Sequence, residues 1–238
     1  MNIISLTKRR IKFFFKKKKK LYKKENYKNL DELFKFYKTD KSSKYHNFSK
    51  YYETHLSSFK NKKINIVEIG SAKGASAAAF FSYFNNCNIF CLDNHIENFE
   101  YTSKYIHPVL VDCSNENEVE RFYRLKKIKN QNIDFLIDDG SHRLDDILKS
   151  IKFHFKRVIS GGYYIIEDYL HPNYYEHCNN NSEEIKIDQL LNNINKKKKF
   201  YSKIFSNRFQ EYLFKNIEYI KTYKGNMSDS NICFIKKK

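Results

Sequence analysis

From residue 64 onward, short apolar runs alternate with stretches of helical periodicity, and this alternation constrains the fold more than any other feature. INIVEI (64–69), NIFCLD (88–93), PVLVD (108–112), IDFLID (133–138) and GYYIIED (162–168) are rich in β-branched or aromatic residues and read as strands. Between them, GASAAAFFSYF (74–84), NENEVERFYRLKKI (115–128) and RLDDILKSIKFHF (143–155) read as helices. Parallel neighbours need crossovers of about this length, and such crossovers are right-handed. The expectation is an α/β fold: a doubly wound, Rossmann-like, mostly parallel seven-stranded sheet. IEYIKTY (217–223) and NICFIKK (231–237), joined through a turn with Gly225, would close one edge with an antiparallel C-terminal strand. Apolar spacing of three and four predicts two amphipathic helices ahead of the sheet, over 28–38 and 46–60. The chain thus divides into a basic N-terminal tail (1–26), a helical cap (27–62) and a main domain (63–238).

Glycine is scarce, six in 238 residues, and Gly70, Gly74, Gly140, Gly161 and Gly162 all fall at or beside predicted strand ends. In open α/β sheets, ligands bind beyond the carboxyl ends of strands, so the loop after the first strand is the first place to look. There, EIGSAKG places Gly70 at a tight turn and Gly74 where a helix start and a ligand approach closely. A dinucleotide site asks for G-x-G-x-x-G. This loop has E-x-G-x-x-x-G, with the acid Glu68 inside the strand end, which suits a cationic ligand better than a diphosphate.

A second constellation follows later strands. Asp138 and Asp139 end one strand, and Glu167 and Asp168 end the next, so parallel neighbours would bring four carboxylates to one end of the sheet. Uncompensated, these charges would repel strongly at low effective dielectric. A divalent cation relieves the repulsion, and hard oxygen donors suit Mg²⁺. His142 stands at the start of the following helix, and histidine is the side chain whose ordinary titration lies nearest neutrality, apt for taking a proton from a hydroxyl.

These motifs resemble those of a known family. VEIGSAKG is similar to the first motif of class I S-adenosylmethionine (SAM)-dependent methyltransferases, with Asp93 and Asp112 following in the family's order. The resemblance implies SAM bound by Glu68, Gly70, Ser71, Gly74, Asp93 and Asp112, with Asp93 on the ribose hydroxyls and Asp112 near the adenine. IDDGSH (137–142) followed by GGYYIIED (161–168) resembles the metal-dependent O-methyltransferases of macrolide sugars and their cephalosporin-hydroxylase-like relatives of polysaccharide and antibiotic pathways. That likeness implies Mg²⁺ held by Asp139, Glu167 and Asp168, His142 as general base, and the hydroxyl of a sugar or glycan-like small molecule as acceptor. TDKSSKYHNFSKYYE (39–53) resembles the family's stretch that covers the active site. Ala75 replaces a common second glycine, and residues 171–215 match no motif.

The formal charge of +18 suggests an anionic partner, but Lys, Asn, Ile, Phe and Tyr dominate, as an A/T-rich genome would dictate without selection on charge. Five cysteines without metal-ligand spacing point to a reducing, cytoplasmic setting. No run approaches the roughly 20 apolar residues that span a bilayer. KRRIKFFFKKKKKLYKK (8–24) leaves open a peripheral contact with an anionic membrane, and oligomeric state is open too. Nucleic-acid methylation is the rival reading, but no base-pocket motif is present and no nucleic-acid partner is expected. A non-catalytic basic module on the same fold is the other rival.

Overall fold

The computed structural model describes residues 3–21 and 29–238, with side chains from Thr7 onward. It falls into two compact units, residues 1–131 and 132–238. In the first, α1 (Ile3–Phe15) and β1 (Lys19–Lys20) are followed by α2 (Leu30–Tyr37) and α3 (Ser49–Leu56). Then come β2 (Lys63–Ile69), α4 (Ala75–Tyr83), β3 (Asn86–Asp93), β4 (Tyr101–Thr102), β5 (Ile106–Leu110) and α5 (Glu116–Tyr123). The second unit carries β6 (Ile133–Asp138), α6 (Leu144–His154), β7 (Val158–Glu167), α7 (His171–Tyr174), α8 (Ile187–Asn195), α9 (Asn207–Asn216), β8 (Ile217–Lys224) and β9 (Asn231–Lys237).

In the first unit β2, β3 and β5 run parallel, with β3 in the middle. β2 is buried from Ile64 to Ile69, the near-continuous apolar run that a strand covered on both faces requires. α4 is buried over almost its whole circumference, and its alanines let neighbours approach closely. α2 meets it with Leu30, Leu33, Phe34 and Tyr37, spaced along one stripe. Phe34 packs edge-on against Phe80 at 5.5 Å, and the Tyr37 and Ser82 hydroxyls share a hydrogen bond of 2.9 Å. Asn29 caps α2 by accepting from the Glu32 N–H, and Lys38 ends it in the left-handed region. Residue 28, the start of the predicted first helix, lies outside the described residues.

In the second unit β6 and β7 are parallel, while β9 runs antiparallel to β7 and β8 antiparallel to β9. The expected antiparallel C-terminal strand is therefore β9, inserted between β7 and β8. Its burial on both faces and the mostly unburied residues of β8, where only Ile217 and Ile220 are buried, match an inner strand and an edge strand. Among these seven strands the mostly parallel α/β reading holds.

Several boundaries moved: β3 begins at Asn86 rather than 88, and the helix expected over 46–60 is α3 (Ser49–Leu56) followed by a 3₁₀ turn at Ser57–Phe59. β5 begins at Ile106, two residues before the predicted start, because Ile106 pairs with Ile89; Pro108, which cannot donate a ladder bond, is tolerated since β5 bonds β3 alone among the described strands of its unit. Asp112 consequently sits beyond the strand. β7 begins at Val158 and absorbs both glycines in a bulge: Gly161 has φ +77°, and a Cβ on Gly162 would lie 2.6 Å from the Asp134 carbonyl. α5 stops at Tyr123, and the chain continues to Lys129 in successive turns. Within the tail expected over 1–26 the described residues form α1 and β1, the latter paired parallel with β4; residues 1–2 and 22–26 lie outside the described residues.

His154, the last residue of α6, is fully buried, and burial with the nearby Arg157 charge holds its pKa down to about 3. The unfolded chain then binds a proton between about pH 6.5 and 3 that the folded chain refuses. Stability is expected to fall as pH drops through this window, by on the order of 4 kcal/mol. Urea denaturation across pH 7 to 4 should show the decline, and His154→Gln, which cannot titrate, should flatten it.

Candidate functional site

The first constellation is built where β2 gives way to α4. Gly70 and Gly74 have φ of +79° and +78°, and Ala72 between them has +45°, so three residues of this five-residue loop are left-handed. The loop is tied to the neighbouring strand by the Gly70 N–H, which donates to the Leu92 carbonyl at 2.9 Å, and closes on itself where the Gly74 N–H donates to the Ser71 carbonyl at 2.7 Å. Ser71 is buried and donates its hydroxyl to the Glu68 carbonyl at 3.1 Å.

Glu68 is 1 % exposed in β2, opposite Cys91 of β3. Burial first, and the Glu68 charge second, push the Cys91 thiol well above its ordinary range. Asp93, at the end of β3, accepts the Ala72 N–H at 2.7 Å and the His95 N–H at 2.6 Å. A carboxylate offers about four lone-pair sites, so Asp93 fixes the loop and retains capacity for hydroxyl donors. Asp112 folds its own turn, accepting the Ser114 N–H at 3.0 Å and hydroxyl at 2.7 Å. The structure thus brings Glu68, Gly70, Ser71, Gly74 and Asp93 to one loop, with Asp112 beyond β5. Acceptor-only acids around a loop of left-handed backbone suit a ligand that is cationic and rich in hydroxyl and amino donors, as SAM is.

Sequence reasoning missed Phe99. Its ring fills the space over Gly74, where a Cβ would lie 2.4 Å from the nearest ring carbon. Gly74→Ala is expected to cost about 3 kcal/mol from this clash and the left-handed backbone. Denaturant unfolding measures it, and Phe99→Leu in the same chain should restore part of the loss, a coupling that an unrelated effect would not show.

The second constellation lies within the second unit. Asp139, His142 and Asp168 each offer a ligand atom, all within 4.8 Å of one another. His142 Nε2 stands 3.7 Å from Asp139 Oδ1. His142 has φ +56° and Asp168 φ +49°, a conformation that costs a side-chain-bearing residue on the order of 1–3 kcal/mol and persists where its surroundings impose it. Six non-glycine residues have positive φ among those described, and Ala72, His142 and Asp168 all belong to the two constellations.

Asn231 imposes the turn at Asp168. The Asp168 N–H donates to the Asn231 carbonyl at 2.6 Å, and the Asn231 N–H donates to Asp168 Oδ1 at 3.2 Å. The Asn231 side chain also accepts the Leu170 N–H at 2.8 Å. On the other side of the trio, the His142 and His171 rings meet edge-on at 4.9 Å; Asp229 lies 3.7 Å from His171 Nε2 and accepts the Tyr175 hydroxyl at 2.6 Å. No motif in the sequence pointed to Asn231 or Asp229.

The four expected carboxylates do not act alike. Asp138 is buried, and burial raises its pKa to about 6 against the opposing hydrogen bonds; the Tyr164 hydroxyl donates to its Oδ2 at 3.2 Å and shares a hydrogen bond with Ser150 at 2.7 Å. Glu167 is buried as the last residue of β7 and is not one of the three clustered groups. Asp139 and Asp168 are hard oxygen donors and fit Mg²⁺, with His142 beside them as nitrogen donor or base.

No family model matches the chain. Among curated proteins it is 28 % identical over 151 residues to the mycinamicin VI 2''-O-methyltransferase of Micromonospora griseorubida, covering 59 % of this chain and 36 % of that protein. It is 29 % identical over 146 residues to the L-olivosyl-oleandolide 3-O-methyltransferase of Streptomyces antibioticus, covering 58 % and 36 %. The chain therefore spans little more than a third of the length of the curated relatives it matches. Among solved structures, MycE methyltransferase in complex with Mg and SAH superposes with a TM-score of 0.70 at 24 % identity, over 88 % of this chain and 54 % of that one. The same protein with Mg, SAH and mycinamycin VI gives 0.67 at 23 % identity. The chain thus shares its fold with MycE methyltransferase, and its sequence is similar to the two O-methyltransferases above.

Proposed function

We propose that the chain transfers the methyl group of SAM to a hydroxyl oxygen of a sugar or glycan-like acceptor, with Mg²⁺ assisting. The observation that carries this reading is the trio Asp139, His142 and Asp168, drawn within 4.8 Å by two strained backbone turns. The likeness to methyltransferases of macrolide sugars supports the acceptor class, and those crystallised with Mg and SAH support the cofactors. A polysaccharide precursor fits as well as a macrolide glycoside.

In this mechanism Glu68 and the loop from Gly70 to Gly74 hold the cofactor, while Asp93 and Asp112 accept its hydroxyl and amino hydrogens. Asp139 and Asp168 hold the metal, and Glu167 completes the set that the sequence resemblance implies. Bound Mg²⁺ supplies a lowered pKa to an acceptor hydroxyl. His142 takes the proton from that hydroxyl, and Asp139, 3.7 Å away, steadies the imidazolium that results. Alignment carries much of the remaining acceleration, since methyl transfer is an in-line displacement. The protein works in the cytoplasm on this reading, consistent with five free thiols.

The test is incubation with SAM and a panel of glycosides, followed by mass spectrometry. One added methylene unit, lost on chelation and regained with Mg²⁺, is the expected result; SAM consumption with no modified glycoside would overturn the acceptor class. Glu167→Gln compared with Asp168→Asn in Mg²⁺ calorimetry assigns the third ligand: a shared loss of affinity supports the set of three acids, and an unchanged affinity in Glu167→Gln removes it.

A further inference from the structure

α1 turns its cationic residues in two directions. Arg9, Phe13 and Lys16, spaced four and three apart, are half-buried and form its docking face. The Arg9 guanidinium donates to the Asn94 carbonyl and faces Glu97, and the Lys16 ammonium donates to the Asn98 carbonyl at 2.6 Å. Just beyond, Lys19 pairs with Glu100 at 3.0 Å as β1 joins β4. The helix is thus held to the first unit by its charged face.

What it presents outward is apolar. Ile11, Phe14 and Phe15 stand at i, i+3 and i+4, forming one stripe, and are 51 %, 77 % and 86 % exposed. Exposed Lys8, Arg10 and Lys12 flank this stripe, exposed Lys17 follows it, and no acid occurs between residues 3 and 21. Two phenyl rings left in water on a helix already docked by its other face cost free energy unless something covers them. A duplex polyanion would satisfy the cations and leave the stripe wet, and single-stranded RNA would stack bases on the rings but give Ile11 no apolar cover. A bilayer of anionic lipid covers both, with rings at the acyl boundary and ammonium groups among the headgroups.

We propose that α1 seats the protein on an anionic membrane surface, lying in the interface with Ile11, Phe14 and Phe15 inserted and Lys8, Arg10, Lys12 and Lys17 among the lipid phosphates. This goes beyond the methyl-transfer reading and does not depend on it.

Co-sedimentation of the full chain with vesicles tests it, using phosphatidylcholine alone and phosphatidylcholine with phosphatidylserine at roughly three to one. Binding to the anionic vesicles is expected, weakening as salt rises. The double variant Phe14→Ser with Phe15→Ser should lower the partition coefficient about tenfold or more, and Lys8→Glu, Arg10→Glu and Lys12→Glu together about a hundredfold. These side chains project from the docked helix, so unchanged circular dichroism and melting temperature serve as the folding control. Equal binding to neutral vesicles, no binding to either, or a phenylalanine double variant that binds like the parent would overturn the proposal. So would self-association in sedimentation velocity that the same double variant abolishes, because the occupant would then be a second copy. RNA binding that depends on Phe14 and Phe15 would overturn it in favour of a nucleic-acid surface.

Discussion

Replacing His142 by asparagine is expected to lower kcat for methyl transfer by about a hundredfold to ten-thousandfold while SAM affinity stays unchanged. Asparagine is the informative choice because position 142 has φ +56°, where it strains less than alanine and keeps a polar side chain that cannot take a proton. A fold defect would lower SAM affinity and melting temperature together, whereas loss of the base touches the chemical step alone. The pH–rate profile gives a further readout: the limb that rises as the base loses its proton should vanish in the variant. An unchanged rate would remove His142 from its role.

The second large effect is expected at Asp168. Asp168→Asn keeps an oxygen to accept the Asn231 N–H, now 3.2 Å away, and keeps a residue tolerant of φ +49°, so the turn survives while the negative charge goes. Mg²⁺ affinity by calorimetry should fall by about a hundredfold or more, with turnover falling alongside at fixed metal concentration. Raising Mg²⁺ should recover part of the rate in this variant and none in His142→Asn. If Asp168→Asn binds Mg²⁺ like the parent, the metal lies elsewhere.

Much of this architecture was legible because buried parallel strands leave a blunt signature. IDFLID became β6 over the predicted residues, and NICFIKK became β9. The edge strand was harder: β5 is half-exposed and contains Pro108, so its start was read late and Asp112 was placed at a strand end it does not occupy. The glycine loop was legible as a demand for unusual backbone, and its φ values bear that out at Gly70 and Gly74. The packing reason at Gly74 was not, since Phe99 arrives from 25 residues along the chain.

The second constellation shows the same division. Aspartates at strand ends were visible as a pattern, but the pattern could not say which would bury itself. Asp138 turns to Tyr164, whereas Asp139 joins His142 and Asp168. Asp229 in the β8–β9 turn and Asn231 at the start of β9 support the trio from more than sixty residues after Asp168, and no local rule ties an asparagine there to an aspartate so far away. The N-terminal run was read from composition as a basic tail, and the acids and carbonyls between Asn94 and Glu100 that meet its cations belong to tertiary structure, which composition does not carry.

On the proposed function, Asp139 and Asp168 exist as a pair to hold a divalent cation for His142 to work beside. Crystals grown with Mn²⁺ in place of Mg²⁺ test this directly, because anomalous scattering locates the ion without assumption. A peak within coordinating distance of the Asp139 and Asp168 carboxylates is expected. A peak elsewhere, or none at this cluster at saturating Mn²⁺, would contradict it.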